Sequence, residues 1–202
     1  LTRSAIYDIK HQIKGGGDLD RPPYQVVALI GESGVGKTTA GEHLIQQLPG
    51  WVGKSNSSYL YELIEGERQL PLGSISGNPK AQRQPDIKDA AARHAAVLLA
   101  ESPRALLARS MDCDRPLLLE GARAIEELNF LRDLPKTLIC KIIATRENRI
   151  RHIDEEAVLR ADSDPYEAQV HFWPYAHELI ENNGSLEGFL QQLDAFAERL
   201  RA

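Results

Sequence analysis

Gly31-Glu32-Ser33-Gly34-Val35-Gly36-Lys37-Thr38 is the stretch on which the reading of this chain turns. It fits G-x-x-x-x-G-K-[ST] at every fixed position. Upstream, Gln25-Val26-Val27-Ala28-Leu29-Ile30 carries the unbroken apolar run of a strand buried on both faces. Downstream, Lys37 to Leu48 has a helical pattern that Pro49-Gly50 ends. Strand, glycine-rich turn and helix in that order make the pattern a phosphate cradle. Gly31, Gly34 and Gly36 allow the sharp turn that brings main-chain N–H groups to phosphate oxygens, and the helix adds its positive end. The expected cradle comprises Gly31, Ser33, Gly34, Val35, Gly36, Lys37, Thr38 and Thr39. Lys37 would reach the β- and γ-phosphates and the Thr38 hydroxyl would ligate Mg²⁺, so the implied ligands are ATP and Mg²⁺.

Length and composition set the bounds. At 202 residues and 42% apolar, the chain has the size and the core of one α/β domain. A net charge of −5 provides no global basic field, which argues against nucleic acid as a partner without removing a local basic groove. Cys113 and Cys140 have neither C-x-x-C nor metal-ligand spacing and read as buried thiols in a reducing compartment. No apolar run approaches the ~20 residues of a membrane span, nothing resembles a signal peptide, and a cytoplasmic location is expected.

The chain divides into residues 1–23, an N-terminal helix and linker, and residues 24–202, the P-loop domain. Ile6, Ile9 and Ile13 share one helical face, expected to dock on the core, with a homodimer or partner-domain contact as the other use of that face. After the cradle helix, Trp51-Val52-Gly53 reads as a short strand and Ser55 to Ser58 as a polar turn. A helix follows over Tyr59 to Ile64, then a mobile connection from Glu67 to Pro85. Asp86 is expected to cap a helix over Ile87 to Ala100, and Arg104 to Met111 gives another. Residues 54–112 are thus a helical insertion of the kind that holds a second substrate beside a phosphate site. Pro116 to Gly121 and Thr137 to Ala144 read as buried strands, and Ile125, Leu128, Leu131 and Leu134 as a covering helix between them. His177 to Asn182 is a fifth strand, and an amphipathic helix runs from Ser185. Alternating strands and helices imply a parallel sheet covered on both faces.

Further residues extend the site. Glu120, an acid closing a buried strand, falls where a carboxylate would face the Mg²⁺ on Thr38. Arg123 projects from the next loop as a clamp for an acceptor phosphate, with an Arg123–Glu127 helix-surface pair as its competing use. Arg146, Arg149, Arg151 and Arg160 could belong to a flap over residues 146–164 that brings cations to the transferring group, Arg149 first, or to a solvated face beside Glu147, Asp154, Glu155 and Glu156. His94, His152, His171 and His177 show no metal spacing, and Tyr59, Tyr61, Trp173 and Tyr175 suit core packing better than stacking on a base.

Together these residues resemble the P-loop nucleoside monophosphate kinase group, in particular the phage-type deoxynucleoside monophosphate kinases and dephospho-CoA kinase-like proteins. Leu118-Leu119-Glu120-Gly121-Ala122-Arg123 with Glu127 is similar to that group's strand-Asp-Gly-x-Arg…Glu segment, with Glu for Asp. Thr145-Arg146-Glu147-Asn148-Arg149 is similar to the start of its arginine lid, and Asn182-Asn183-Gly184-Ser185-Leu186-Glu187 to its closing turn. The resemblance implies a three-layer P-loop NTPase fold: a five-stranded, mostly parallel sheet, an acceptor-binding insertion, a lid, and the loop around Asn182–Gly184 near the adenine of ATP. It also implies an ATP-dependent kinase using Lys37, Glu120, Arg149 and Arg123 on a small nucleotide acceptor. A deoxynucleoside monophosphate is the first acceptor, dephospho-CoA the second, and a modified base in DNA a remoter third. A non-catalytic ATP-binding module is the reading from another class. Two departures bear on the acceptor. Ser55-Asn56-Ser57-Ser58 lacks the Asp and Arg that many relatives carry after the second strand, and His152 replaces a lid arginine.

Overall fold

The computed structural model describes residues 24–201 apart from 77, 83, 85, 88, 92 and 95–114. The expected N-terminal helix, the 104–111 helix and the end of the 87–100 helix lie outside the described residues. Five strands make up the sheet: β1 Val26–Ile30, β2 Val52–Ser55, β3 Leu117–Glu120, β4 Thr137–Ile143 and β5 Glu178–Glu181. They lie in the order β2-β3-β1-β4-β5. All four pairings are parallel, so the expected mostly parallel sheet is parallel throughout.

Along β1 the side chains alternate between two cores, as a period of two requires. Val27 and Leu29 join Leu44 and Leu48 of α1 (Lys37–Gln47, with its end) and Phe189, Leu193 and Phe196 of the C-terminal helix. Val26, Ala28 and Ile30 join Leu128 and Leu131 on one covering helix and Val170 and Trp173 from another. Helix, sheet and helix therefore form three layers around a sheet buried on both faces, an α/β P-loop fold.

Further helices among the described residues are α2 (Asn56–Glu67), α3 (Pro79–Gln82), α4 (Ile125–Asp133), α5 (Arg146–Ile153), α6 (Glu155–Asp162), α7 (Pro165–Phe172) and α8 (Leu186–Arg201). Two local expectations change. The polar stretch after β2 is the start of α2 rather than a turn, because Ser55 accepts the Ser58 N–H at 3.0 Å and so caps the helix directly. Within the 67–85 connection, residues 73–76 are gathered around a buried carboxylate. Glu65, 1% exposed, accepts the N–H groups of Gly73, Ile75 and Ser76 together with the Ser76 hydroxyl. Burial works to raise the Glu65 pKa, but these bonds outweigh it and hold the carboxyl low. Asp86 is itself helical, and its carboxylate accepts from Arg68 at 2.8 Å.

Between α5 and α6 stands Asp154, with φ 78° and ψ 160°, a backbone region that L-residues rarely enter. It ends one helix and caps the next by accepting the Ala157 N–H at 2.8 Å.

Candidate nucleotide and phosphoryl-transfer site

The sheet register sets the site. Leu29 pairs with Glu120, and Glu120 with Ser55, so β1, β3 and β2 end level at their carboxyl edge. Beyond β1 the chain turns through Gly31, Gly34 and Gly36, all with positive φ, into α1. Gly36 has no tolerance for a side chain, because a Cβ there would lie 2.6 Å from Asn182 Nδ2. That amide, from the end of β5, donates to Val35 O at 3.0 Å and buttresses the loop.

Lys37 folds back over the loop and donates to Gly31 O and Glu32 O, both at 2.7 Å. Burial lowers its pKa to about 8; nearby Arg123 adds to the shift, while Glu167 and Glu120 oppose it. On the other side, burial pushes Glu120 up to about 7; Lys37 and a hydrogen bond from Thr38 oppose this, while Glu42 adds to it. Thr38 and Glu120 thus bring a hydroxyl and a carboxylate oxygen to one point. These hard oxygen donors fit Mg²⁺, which takes one or two protein oxygens and completes its shell with phosphate and water. No group of three or more His, Cys, Asp or Glu with metal-holding spacing occurs among the described residues.

Arg123 forms its ion pair with a carboxylate other than the expected Glu127. The Glu127 carboxylate accepts the backbone N–H of Arg123 at 2.9 Å and of Ala124 at 3.1 Å, which starts α4. The Arg123 guanidinium instead faces the cleft and pairs with Glu167 at 2.9 Å. Glu167, on α7, is 2% exposed and also accepts the Ser33 N–H at 2.8 Å and the Ser33 hydroxyl at 2.7 Å.

The arginines after β4 take three positions. Arg149 is 4% exposed and lies against the back of the loop, donating to Ser33 O at 2.8 Å and Glu32 at 2.9 Å, with Asp162 at 2.8 Å. It braces the loop from behind. Arg146 pairs with Glu155 and Asp162 on the surface. Arg151 and Arg160 line the cleft itself. His152 donates to Gly34 O at 2.7 Å and so tethers α5 to the loop.

The phosphate loop, Lys37, Thr38, Glu120, Arg123, Arg151 and Arg160 open onto one cleft of about 1310 Å³. Its far wall carries Lys54, Ser55 and Ser58 from β2 and α2, and Ser76 and Gln82 from the segment organised by Glu65. Gly184, Leu186 and Ile153 line it near Asn182. Of the candidate aromatic residues, Trp173 packs in the second core, and Tyr59 and Tyr61 pack against a separate small cluster that includes Leu60, Ile64, Ile75 and Ile87. His177 Nδ1 accepts the Ile139 N–H at 2.9 Å, a structural role.

Sequence reasoning did not single out Gly41, Glu167, Lys54, Ser76 or Gln82. Only Gly41 carried a signal, since a glycine inside a helix marks a close approach.

Neither the family models nor the curated proteins contain a match to this chain. Among solved structures, the chain is similar to the Thermus thermophilus protein TT1252, with TM-score 0.50 and 18% identity over 89% of this chain and 99% of that one. Shikimate kinase from Acinetobacter baumannii in complex with shikimate gives TM-score 0.45 and 17% identity over 87% and 90% of the two chains. A gluconokinase from Sinorhizobium meliloti 1021 gives 0.46 and 13% over 90% and 95%. The likeness to the Thermus protein is one of fold, and it agrees with the P-loop architecture traced above.

Proposed function

We propose that this protein is an ATP-dependent kinase that transfers the γ-phosphoryl group to a small nucleotide, a deoxynucleoside monophosphate in the first instance. The carrying observation is the convergence of Lys37, Thr38, Glu120 and Arg123 on one end of a cleft large enough for donor and acceptor together. Main-chain amides of the loop and Lys37 hold the triphosphate, Thr38 and Glu120 are the residues for Mg²⁺, and the base lies toward Gly184 and Leu186. Bound Mg²⁺ would supply charge neutralisation on the phosphate oxygens. Arg123, Arg151 and Arg160 supply cations to the transferring group and the acceptor.

The chemistry of the far wall supports a phosphate acceptor. Attack on the γ-phosphorus by a hydroxyl must release a proton, which calls for a base, whereas a phosphate monoester oxygen is already anionic. The β2 side of the cleft offers Lys54, Ser55 and Ser58, cationic and neutral groups suited to holding an anion. In the transfer, the acceptor oxygen forms its bond to phosphorus as the β–γ bridging bond breaks and ADP leaves. Dephospho-CoA and a hydroxyl on a modified DNA base rank below it on the same argument.

The second reading, a non-catalytic ATP-binding module, is favoured by Ser55-Asn56-Ser57-Ser58, which offers neither the acid nor the arginine expected on the acceptor side. One assay separates the two. The protein is incubated with Mg-ATP and a panel of nucleoside monophosphates, dephospho-CoA and oligonucleotides, and ADP formation is followed. Acceptor-stimulated turnover with a monophosphate is expected; ATP binding without stimulation by any acceptor would establish the module instead.

A further inference from the structure

Glu167 belongs to a helix 134 residues from the loop it touches, and nothing in the phosphate motif calls for it. Its position is nevertheless fixed from several sides. Val170 and Trp173, on and just after α7, are buried in the second core, and Gln169 accepts the Ile125 N–H at 2.7 Å at the start of α4. The helix therefore holds both the loop after β3 and the front of the phosphate cradle. At 2% exposure a carboxylate this deep must be fully matched. Its partners are the Ser33 N–H, the Ser33 hydroxyl and the Arg123 guanidinium, two neutral donors and one cation. Of the ion pair, Glu167 is buried while the Arg123 side chain is 42% exposed and lines the cleft.

The point to which Glu167 pins Arg123 is defined by Ser33, because both bond to the one carboxylate. Ser33, Lys37 and Arg123 line the same cleft. The lysine of a P-loop serves the β- and γ-phosphates. A guanidinium tied to Ser33 on the Lys37 side of the cleft is therefore placed for the terminal-phosphate end of the cradle. A long arginine loses rotamer freedom on being fixed, and a buried counter-ion removes that cost in advance of binding.

Resting on the assignment of this loop as the nucleotide site, we propose that Glu167 is a positioning residue whose buried carboxylate fixes Arg123 where it reads the third phosphate, so that triphosphate is bound in preference to diphosphate. Glu167 does not touch the nucleotide; Arg123 does.

The test is calorimetric titration of the full chain with the Mg²⁺ complexes of β,γ-imido-ATP and of ADP. The variants are Glu167→Gln, Glu167→Asp, Arg123→Ala and the double variant Glu167→Gln/Arg123→Ala. Glu167→Gln should weaken the triphosphate analogue about tenfold while leaving ADP within about twofold, the loss of one charge-assisted contact. Arg123→Ala should match it, the double variant should be no worse than either single, and Glu167→Asp should recover part of the loss. A merely structural carboxylate would instead lower both affinities together, and independent sites would give additive losses; either result overturns the proposal. Tighter triphosphate binding in Glu167→Gln also overturns it, since Glu167 would then act by repulsion. Glu167→Asp and Arg123→Ala carry the comparison should Glu167→Gln fold poorly. A wild-type chain that binds neither ligand takes down the nucleotide site and this proposal together. Selective binding without acceptor-stimulated turnover removes only the kinase reading.

Discussion

Gly41 and Glu120 face each other so closely that a Cβ on Gly41 would overlap the Glu120 carboxylate. The helix after the phosphate loop thus has a gap in its side chains where the acid from β3 must lie. A glycine inside a helix costs about 1 kcal/mol relative to alanine, and the space it leaves goes to Glu120.

Gly41→Ala therefore separates folding from metal use. The helix gains intrinsic propensity while Glu120 is driven from Thr38. The melting temperature is expected to stay within a few degrees of wild type, with Mg²⁺-dependent ATP affinity falling about tenfold or more. An Mg²⁺ response equal to that of wild type would show that Glu120 has no part in metal binding.

Lys37→Ala should abolish turnover. It removes the one side chain that spans the loop from Gly31 O and Glu32 O toward the phosphates. Circular dichroism and chemical denaturation are expected to report a folded protein, because an ammonium taken from burial costs little once gone. Full turnover in this variant would contradict the site.

Arg149→Ala distinguishes a brace from a participant in transfer. Its guanidinium is buried against Glu32, Ser33 and Asp162, so the variant should lose about 2–3 kcal/mol of unfolding free energy. Urea titration reads this directly. A drop in kcat with unfolding free energy unchanged would return Arg149 to the expected role of neutralising the transferring group.

The pH dependence of nucleotide binding has two limbs of opposite sign. Lys37 titrates near 8 in the free protein, and a bound triphosphate raises that value, so affinity is full below about 8 and declines above it. Glu120 titrates near 7, and ligation of Mg²⁺ needs its anion, so affinity for Mg-ATP rises as pH increases through about 7. Mg-ATP should bind best between these two values. Without Mg²⁺ the acidic limb should flatten while the basic limb remains; calorimetry in buffers of different ionisation enthalpy would register proton uptake near pH 8.

Glu65→Ala tests the far wall. Removing the carboxylate leaves the N–H groups of Gly73, Ile75 and Ser76 without their acceptor and frees the segment that carries Ser76 and Gln82 into the cleft. The KM for the acceptor is expected to rise about tenfold with ATP affinity unchanged. An unchanged acceptor KM would mean that the segment does not hold it.

The sheet, its covering helices and the cradle were legible in the sequence because each depends on local pattern. Val26 to Ile30 announces a doubly buried strand without help from elsewhere, and Gly31 to Thr38 fixes the turn that follows. Glu120 was legible for the same reason, as an acid ending an apolar run. The partners of Arg123 and Arg149 were not. Glu167 meets Ser33 across 134 positions, and Arg149 meets Glu32 across 117, distances over which periodicity carries no information. Without those carboxylates an arginine near a phosphate loop reads as a hand reaching for phosphate. The structure shows Arg149 locked behind the loop and Arg123 held at its front. The hold of Glu65 on Gly73, Ile75 and Ser76 was not legible for a related reason: it comes from one buried acid in the preceding helix rather than from the turn-rich composition of the segment.

Asp154 has a mechanical consequence. Arg149 and His152 bind α5 to the phosphate loop at Ser33 and Gly34, so that helix travels with the donor. Arg160, on α6, lies beyond the one residue joining the two helices. Arg160 therefore reaches the cleft across Asp154, and the sparsely populated torsion there is held by the Ala157 N–H and by the pairs that Arg146 and Arg149 make with Glu155 and Asp162.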